Sequence, residues 1–175
     1  MAKIKPPEPS LLFIGILYAD HEILLHSKKS IGSDFGPVLF ESPSLPWDYS
    51  SYYKEELGSP IFRQFVFFKN LIDPGSLVDI KLKTMERENE LVLEGKRRVN
   101  LDPGYLMLSR IVLASAKNYA HRIYLGKGIY GDATLLYSEK EGTFKPHLFT
   151  YRDYQEKSCI DMFLNARKMR KGMSG

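Results

Sequence analysis

The segment Leu11-Leu12-Phe13-Ile14-Gly15-Ile16-Leu17-Tyr18 constrains this chain more than any other. It is apolar at nearly every position, so a strand built from it leaves neither face suited to water. With Ala19 the run reaches nine residues, far short of the ~20 that cross a bilayer as a helix. Pro6, Pro7 and Pro9 separate Lys3 and Lys5 from the run, and Asp20 closes it without a small-x-small cleavage pattern. A secretory signal is therefore not expected. The reading is a first strand placed centrally in a sheet.

The remaining pattern is mixed. Asp20 caps a helix ending by Gly32, Pro37 to Glu41 forms a second strand, and Ile61 to Phe68 a strong one. Between them, Ser42 to Pro60 is a long aromatic loop with room for one short element. Asp73-Pro74 starts a helix, an oxygen cap followed by proline where no amide hydrogen is needed. That helix is expected to run to about Leu93 and stop at Gly95. Arg98 to Leu101 then forms a short strand entering a turn at Asp102-Pro103-Gly104. Tyr105 to Ala116 holds a short turn or helix and then a strand over Ile111 to Ser115. His121 to Leu125 and Ala133 to Tyr137 form a hairpin, and Thr150-x-x-Asp153 opens a last helix as a capping box. This order implies an α+β fold: an antiparallel or mixed sheet with helices packed on one face. A ferredoxin-like βαββαβ core followed by a C-terminal hairpin and helix fits it.

At 175 residues, 43% apolar and 26% charged, the chain has enough apolar side chain for one core, and a single domain over 1–175 is expected. Disordered and low-complexity classes are excluded. One cysteine excludes an intramolecular disulfide and a thiolate-rich metal site, and suits a cytoplasmic protein with no membrane association. The net charge of +4 is concentrated at the C-terminus, in Lys157, Arg167, Lys168, Arg170 and Lys171. A solvated helix end explains these cations, and phosphate contacts to RNA are the rival reading.

Several motifs imitate chemistry. Gly126-Lys127-Gly128-Ile129-Tyr130-Gly131 matches G-x-G-x-x-G, but strand-forming Ala133 to Tyr137 follows where a dinucleotide fold needs a helix. A hairpin accounts for it. His21 and His26 stand five apart and diverge by about 140° on a helix, so they do not pair as metal ligands. Cys159 falls on an apolar helix face and reads as a small hydrophobe, and His147 reads as a surface histidine. No metal-ligand set is expected, and the residues do not identify a cofactor.

Two clusters remain, with a weaker third. In Arg98-Val99-Asn100-Leu101-Asp102-Pro103-Gly104-Tyr105, alternation puts Arg98, Asn100 and Asp102 on one strand face; an aspartate cap beside an ordinary turn explains the same residues. In Lys117 and His121-Arg122-Ile123-Tyr124, Arg122 and Tyr124 point one way and His121 the other, and a solvated strand face is the rival. The third group, Tyr52, Tyr53, Glu55, Glu56 and Arg63, surrounds the aromatic loop. The first two clusters are expected to lie side by side and wall one pocket for a small anionic ligand, phosphorylated or nucleotide-like. Arg98, Lys117 and Arg122 would supply charge, Asn100 and Asp102 orientation, and Tyr53, Tyr105 and Tyr124 stacking, with Glu56 and Arg63 as further ligand-binding residues. His121 or Asp102 would be the acid or base of any chemistry. The alternative is an RNA-binding or protein-interaction module without catalysis, its bases stacked on Phe62, Phe65, Phe67 and Tyr124. A homodimer is compatible with either.

The segments R-V-N-L-D-P-G-Y (Arg98 to Tyr105) and K-N-Y-A-H-R-I-Y-L-G-K-G-I-Y-G (Lys117 to Gly131) resemble a prokaryotic family, the domain of unknown function 4416. Y-x-x-E-L-G at Tyr53 to Gly58 and T-Y-R-D-Y at Thr150 to Tyr154 extend the resemblance over most of the chain. It implies no particular activity. Some members carry a GTP-binding label, yet this chain has no phosphate loop, and Ala116-Lys117-Asn118-Tyr119 lacks the acid of N-K-x-D.

Overall fold

The computed structural model describes residue 1 and residues 3–173. In chain order the elements are β1 (Ser10–Tyr18), α1 (His21–Phe35), β2 (Val38–Glu41), β3 (Leu45–Pro46), α2 (Ser51–Leu57), β4 (Phe62–Ile72) and, after one 3-10 turn at Pro74–Ser76, α3 (Leu77–Glu90). There follow β5 (Val99–Met107), β6 (Arg110–Ser115), β7 (Ile123–Gly126), β8 (Ile129–Ser138), β9 (Thr143–Pro146), α4 (Arg152–Gln155) and α5 (Lys157–Lys171). The strands form one sheet in the order β2-β4-β1-β5-β6-β8-β7, with β3 on β4 and β9 on β8, and every pairing is antiparallel.

All nine residues of β1 are buried, as its unbroken apolar run requires. The units β1-α1-β2 and β4-α3-β5 interleave, each enclosing a strand of the other, which is the ferredoxin-like arrangement. Its two helices cover one face, where Ile23, Leu24, Ile31 and Ile80 meet Leu12, Ile14, Ile16, Val66 and Leu101. The expectation of helices on one face holds for this core and fails for the whole chain. On the opposite face α5 places Cys159, Phe163 and Ala166 against Leu11, Phe13, Phe65, Phe67 and Leu106. A central strand apolar on both sides needs cover on both, and only the closing helix is left to supply the second layer.

Local signals behave unevenly. Asp20 caps α1 through the Glu22 amide at 2.9 Å, and Asp73 accepts from the Gly75 amide at 2.7 Å. The helix after Asp73 ends at Glu90, a turn earlier than Leu93. Thr150 caps nothing: its hydroxyl donates to the Thr134 carbonyl at 2.7 Å and accepts from the His147 amide at 2.9 Å, tying the loop to β8. The Gly126–Gly131 motif is the β7–β8 hairpin.

The largest departure lies at Asp102-Pro103-Gly104. No turn forms there, and β5 runs straight through to Met107. Gly104 is required by packing: a Cβ would stand 2.5 Å from Phe13 Cζ and 2.6 Å from the Val112 carbonyl oxygen. Pro103 is tolerated because β6 pairs with β5 only from Gly104 onwards. Residues on an antiparallel strand address alternate neighbours. Leu101 turns both its amide and its carbonyl away from β1 and towards α3 side chains, so Pro103 addresses that same open edge, where no ladder bond is lost. The segment after it, read as a turn or helix, is the tight β5–β6 hairpin.

A cleft where the sheet divides

β5 and β6 part at Pro103, and a cleft of about 670 Å³ opens between them. The backbone that β6 abandons is satisfied from α3. Glu88 Oε1 accepts from the Leu101 amide at 2.6 Å, and Lys81 Nζ donates to the Leu101 carbonyl at 3.0 Å. Two helix side chains thus stand in for a strand, and buried backbone groups avoid an unpaired state. Burial raises the Glu88 pKa, although Lys81, the Leu101 amide and Arg97 pull against it.

Three ionic clusters build the walls. Arg63, buried on β4, holds Asp102 Oδ2 through Nη1 and Asp153 Oδ2 through Nη2, both at 3.0 Å, and Trp47 Nε1 also donates to Asp153 Oδ2 at 3.0 Å. Room for that guanidinium comes from Gly15, where a Cβ would stand 2.7 Å from Arg63 Nη1. Arg97 grips Glu56 with two bonds of 2.7 Å and reaches Glu88 Oε2 at 3.3 Å and Asn100 Oδ1 at 3.1 Å. Arg122 donates to Asp132 at 3.0 Å, to Ser115 Oγ at 2.8 Å, to the Lys117 carbonyl at 3.1 Å and to the Tyr151 hydroxyl. Burial alone would raise the Asp102 pKa; Arg63 and Lys81, with the nearby Asn100 amide, hold it below the ordinary value. Tyr53, facing Asp102 and largely buried, is pushed well up.

Eight aromatic residues line the space, and Tyr49, Tyr52, Tyr119, Phe149 and Tyr151 expose their rings around its mouth. Lys117 and Arg152 there form no salt bridge among the described residues, and neither does the deeper Lys81, which donates to the Leu101 carbonyl, whereas Arg63, Arg97 and Arg122 are all neutralised. Lys117 Nζ lies 5.4 Å from the Tyr52 ring centre. Deeper in, the Asn100 amide nitrogen and Arg63 Nε are buried without a hydrogen-bond partner.

Of the residues singled out from the sequence, Asn100, Asp102, Lys117, Arg122, Tyr52, Tyr53 and Arg63 line this one cleft. Glu56 stands behind Arg97, and His121 behind Asp132, with Nε2 3.1 Å from Asp132 Oδ2 and its ring stacked on Phe149 at 4.6 Å. Alternation across a strand does not separate His121 from Arg122, because β7 starts only at Ile123 and both converge on Asp132. With four N–H groups engaged internally, Arg122 props the wall instead of presenting a free two-pronged clamp.

Others lie elsewhere. Arg98 precedes β5 and pairs with Asp20 at 2.8 Å, away from Asn100 and Asp102. Tyr105 packs beside Leu77, Val112 and Ala114, and Tyr124 stands exposed against Tyr130. Phe65 and Phe67 are in the core and Phe62 is packed against it, so they offer no surface on which bases could stack. Arg170 donates to the Pro9 carbonyl and Arg167 to that of Leu108 at 2.8 Å.

Sequence reasoning missed Trp47, Lys81, Glu88, Arg97, Asp132, Phe149, Tyr151 and Asp153. Lys81, Thr84 and Glu88 carried a signal: their spacing of three and four puts polar groups on one helix stripe with Leu77, and all four are buried. Asp132 carried none, and Asp153 carried only that of a capping box, which does not form. Burial pushes the Cys159 thiol well above its usual range, in keeping with a packing role.

Fold and cleft together define a class: an α+β protein with a ferredoxin-like core whose sheet is extended by further strands and divided to form an aromatic-lipped polar cleft. The chain belongs to the family described as Domain of unknown function (DUF4416), whose model matches residues 8–169. No curated protein and no solved structure matches it. No helix among the described residues is long and apolar enough to cross a membrane.

Proposed function

We propose that the cleft binds a small anionic ligand, phosphorylated or nucleotide-like. One observation carries the reading: a buried polar side chain, Asn100, makes no well-formed hydrogen bond with its amide nitrogen on the wall of a cleft whose mouth holds two cations without carboxylates. An unpaired buried donor costs roughly 1–3 kcal/mol, which a ligand oxygen relieves. The cations favour an anionic group at the entrance, and the exposed rings favour a planar or sugar face beside it. The volume lies within the range of small-molecule sites, roughly 300–1,000 Å³. Processing of the ligand would need a proton-transfer group at its surface. Asp102 lines the cleft, whereas His121 stands behind Asp132.

Thermal shift against adenosine 5′-monophosphate, ribose 5-phosphate, inorganic phosphate and uncharged adenosine tests the proposal. The organic phosphates are expected to stabilise the protein by about 1.4 kcal/mol per tenfold excess over Kd. Lys117→Ala combined with Arg152→Ala weakens them about tenfold or more. A flat response across the phosphates, or adenosine acting as strongly as its phosphate, refutes it. The exposed rings around the mouth favour a second reading, a single-stranded RNA end stacked on the same rim. That reading requires affinity falling steeply with salt.

A further inference from the structure

Resting on the cleft being a site for a small anion, we infer that its inner wall selects ligands bearing a vicinal diol, read by Asn100 and Asp102 together. The two residues are two apart on one face of β5, within reach of adjacent substituents of a single ring. Each is restricted to one role. Arg97 Nη1 occupies Asn100 Oδ1 at 3.1 Å, which orients the amide and turns its nitrogen towards Asp102 without a well-formed hydrogen bond, a donor only. Arg63 occupies Asp102 Oδ2 at 3.0 Å, and its positive charge helps keep the carboxylate ionised, an acceptor only.

The Asp102 side chain is nevertheless 27% exposed although its strand lies deep in the sheet, and its residue lines the cleft. A fixed donor beside a fixed acceptor fits two neighbouring hydroxyls, one accepting from Asn100 and the other donating to Asp102. A phosphate is a poor occupant of that position, because it would place a second negative charge on Asp102. The anionic group therefore belongs at the mouth with Lys117 and Arg152, and the hydroxyls inside. Trp47 and Tyr53, packed edge to face at 5.5 Å, supply an apolar surface for the ring carbons between the two ends. The substrate class is a phosphorylated polyol, whether a free sugar phosphate or the ribose of a nucleotide.

Calorimetric titration of the full chain with adenosine 5′-monophosphate and with its 2′,3′-dideoxy analogue tests this. The wild type is expected to bind the dideoxy compound about 30-fold more weakly or worse, because a site built for hydroxyls leaves its own polar groups unpaired without them. Asp102→Asn lowers the affinity for the hydroxylated compound towards that of the analogue and changes the analogue's own binding by less than about threefold. Should that variant not fold, the wild-type comparison alone decides. Ribose 5-phosphate, run in parallel, tells a free sugar phosphate from a nucleotide: binding with or without the base supports the diol assignment. Equal binding of both nucleotides overturns the inference and leaves the anion site standing. No binding by any organic phosphate overturns both.

Discussion

Replacing Gly104 by alanine tests the account of β5 most directly. The new Cβ would lie 2.5 Å from Phe13 Cζ, 2.6 Å from the Val112 carbonyl oxygen and 3.0 Å from Leu113 Cδ2. Carbon atoms in contact prefer about 3.5–4.0 Å, so relief requires about 1 Å of movement. Phe13 has nowhere to go: it is fully buried, with Phe163 at 5.0 Å and Phe67 at 5.6 Å between ring centres. The Val112 carbonyl belongs to the paired strand β6 and can recede only by stretching the Tyr105–Val112 ladder. Overpacking of this kind costs about 1–3 kcal/mol, and a weakened backbone bond adds about 1. The stiffer unfolded chain returns about 0.4–1 kcal/mol.

The expected net loss is about 1–3.5 kcal/mol, read as a shift in denaturant midpoint at unchanged slope, or a Tm lower by roughly 2–14 °C. Gly32→Ala is the control. It sits in α1 with nothing within 4 Å of a Cβ and should stabilise by about 0.5–1 kcal/mol. A Gly104→Ala protein within about 0.5 kcal/mol of wild type would refute the packing argument.

Two further outcomes concern the walls of the cleft. Arg63→Met should destabilise by about 3 kcal/mol, because it leaves the part-exposed Asp102 and the largely buried Asp153 without their shared cation; adding Asp102→Asn and Asp153→Asn should restore much of the loss, and a triple variant no more stable than the single one refutes the account. Asp102 has a folded-state pKa below its unfolded value, so its contribution is complete above about pH 3.9 and drains away as pH falls through the folded value. The stability gap between wild type and Asp102→Asn should therefore narrow from pH 5 towards pH 2 in urea titrations, and a constant gap contradicts it.

The fold was largely legible in one dimension. Leu11 to Tyr18 specified a central strand, Phe65 to Phe68 alternated between the two faces that were later found, and Asp20 and Asp73-Pro74 marked helix starts by short-range chemistry. Asp102-Pro103-Gly104 misled, since a proline-glycine pair looks the same whether it bends a chain or lies straight. Whether proline loses a ladder bond and what a glycine must make room for depend on strands distant in sequence.

The candidate site divides along the same line. By itself the sequence determined the elements, the sheet's central strand and a handful of polar residues worth attention, because these follow from periodicity, propensity and local hydrogen bonding. Only the tertiary structure decided which of them meet. Asn100 and Asp102 came together with Lys117 and Arg63 while Arg98 and Tyr124 did not, and Lys81 and Glu88 entered from a helix to replace a missing strand. The physical reason is that a cleft is a failure of two strands to pair. Where pairing stops is set by the balance of contacts across the whole sheet, to which no single stretch of chain holds the answer.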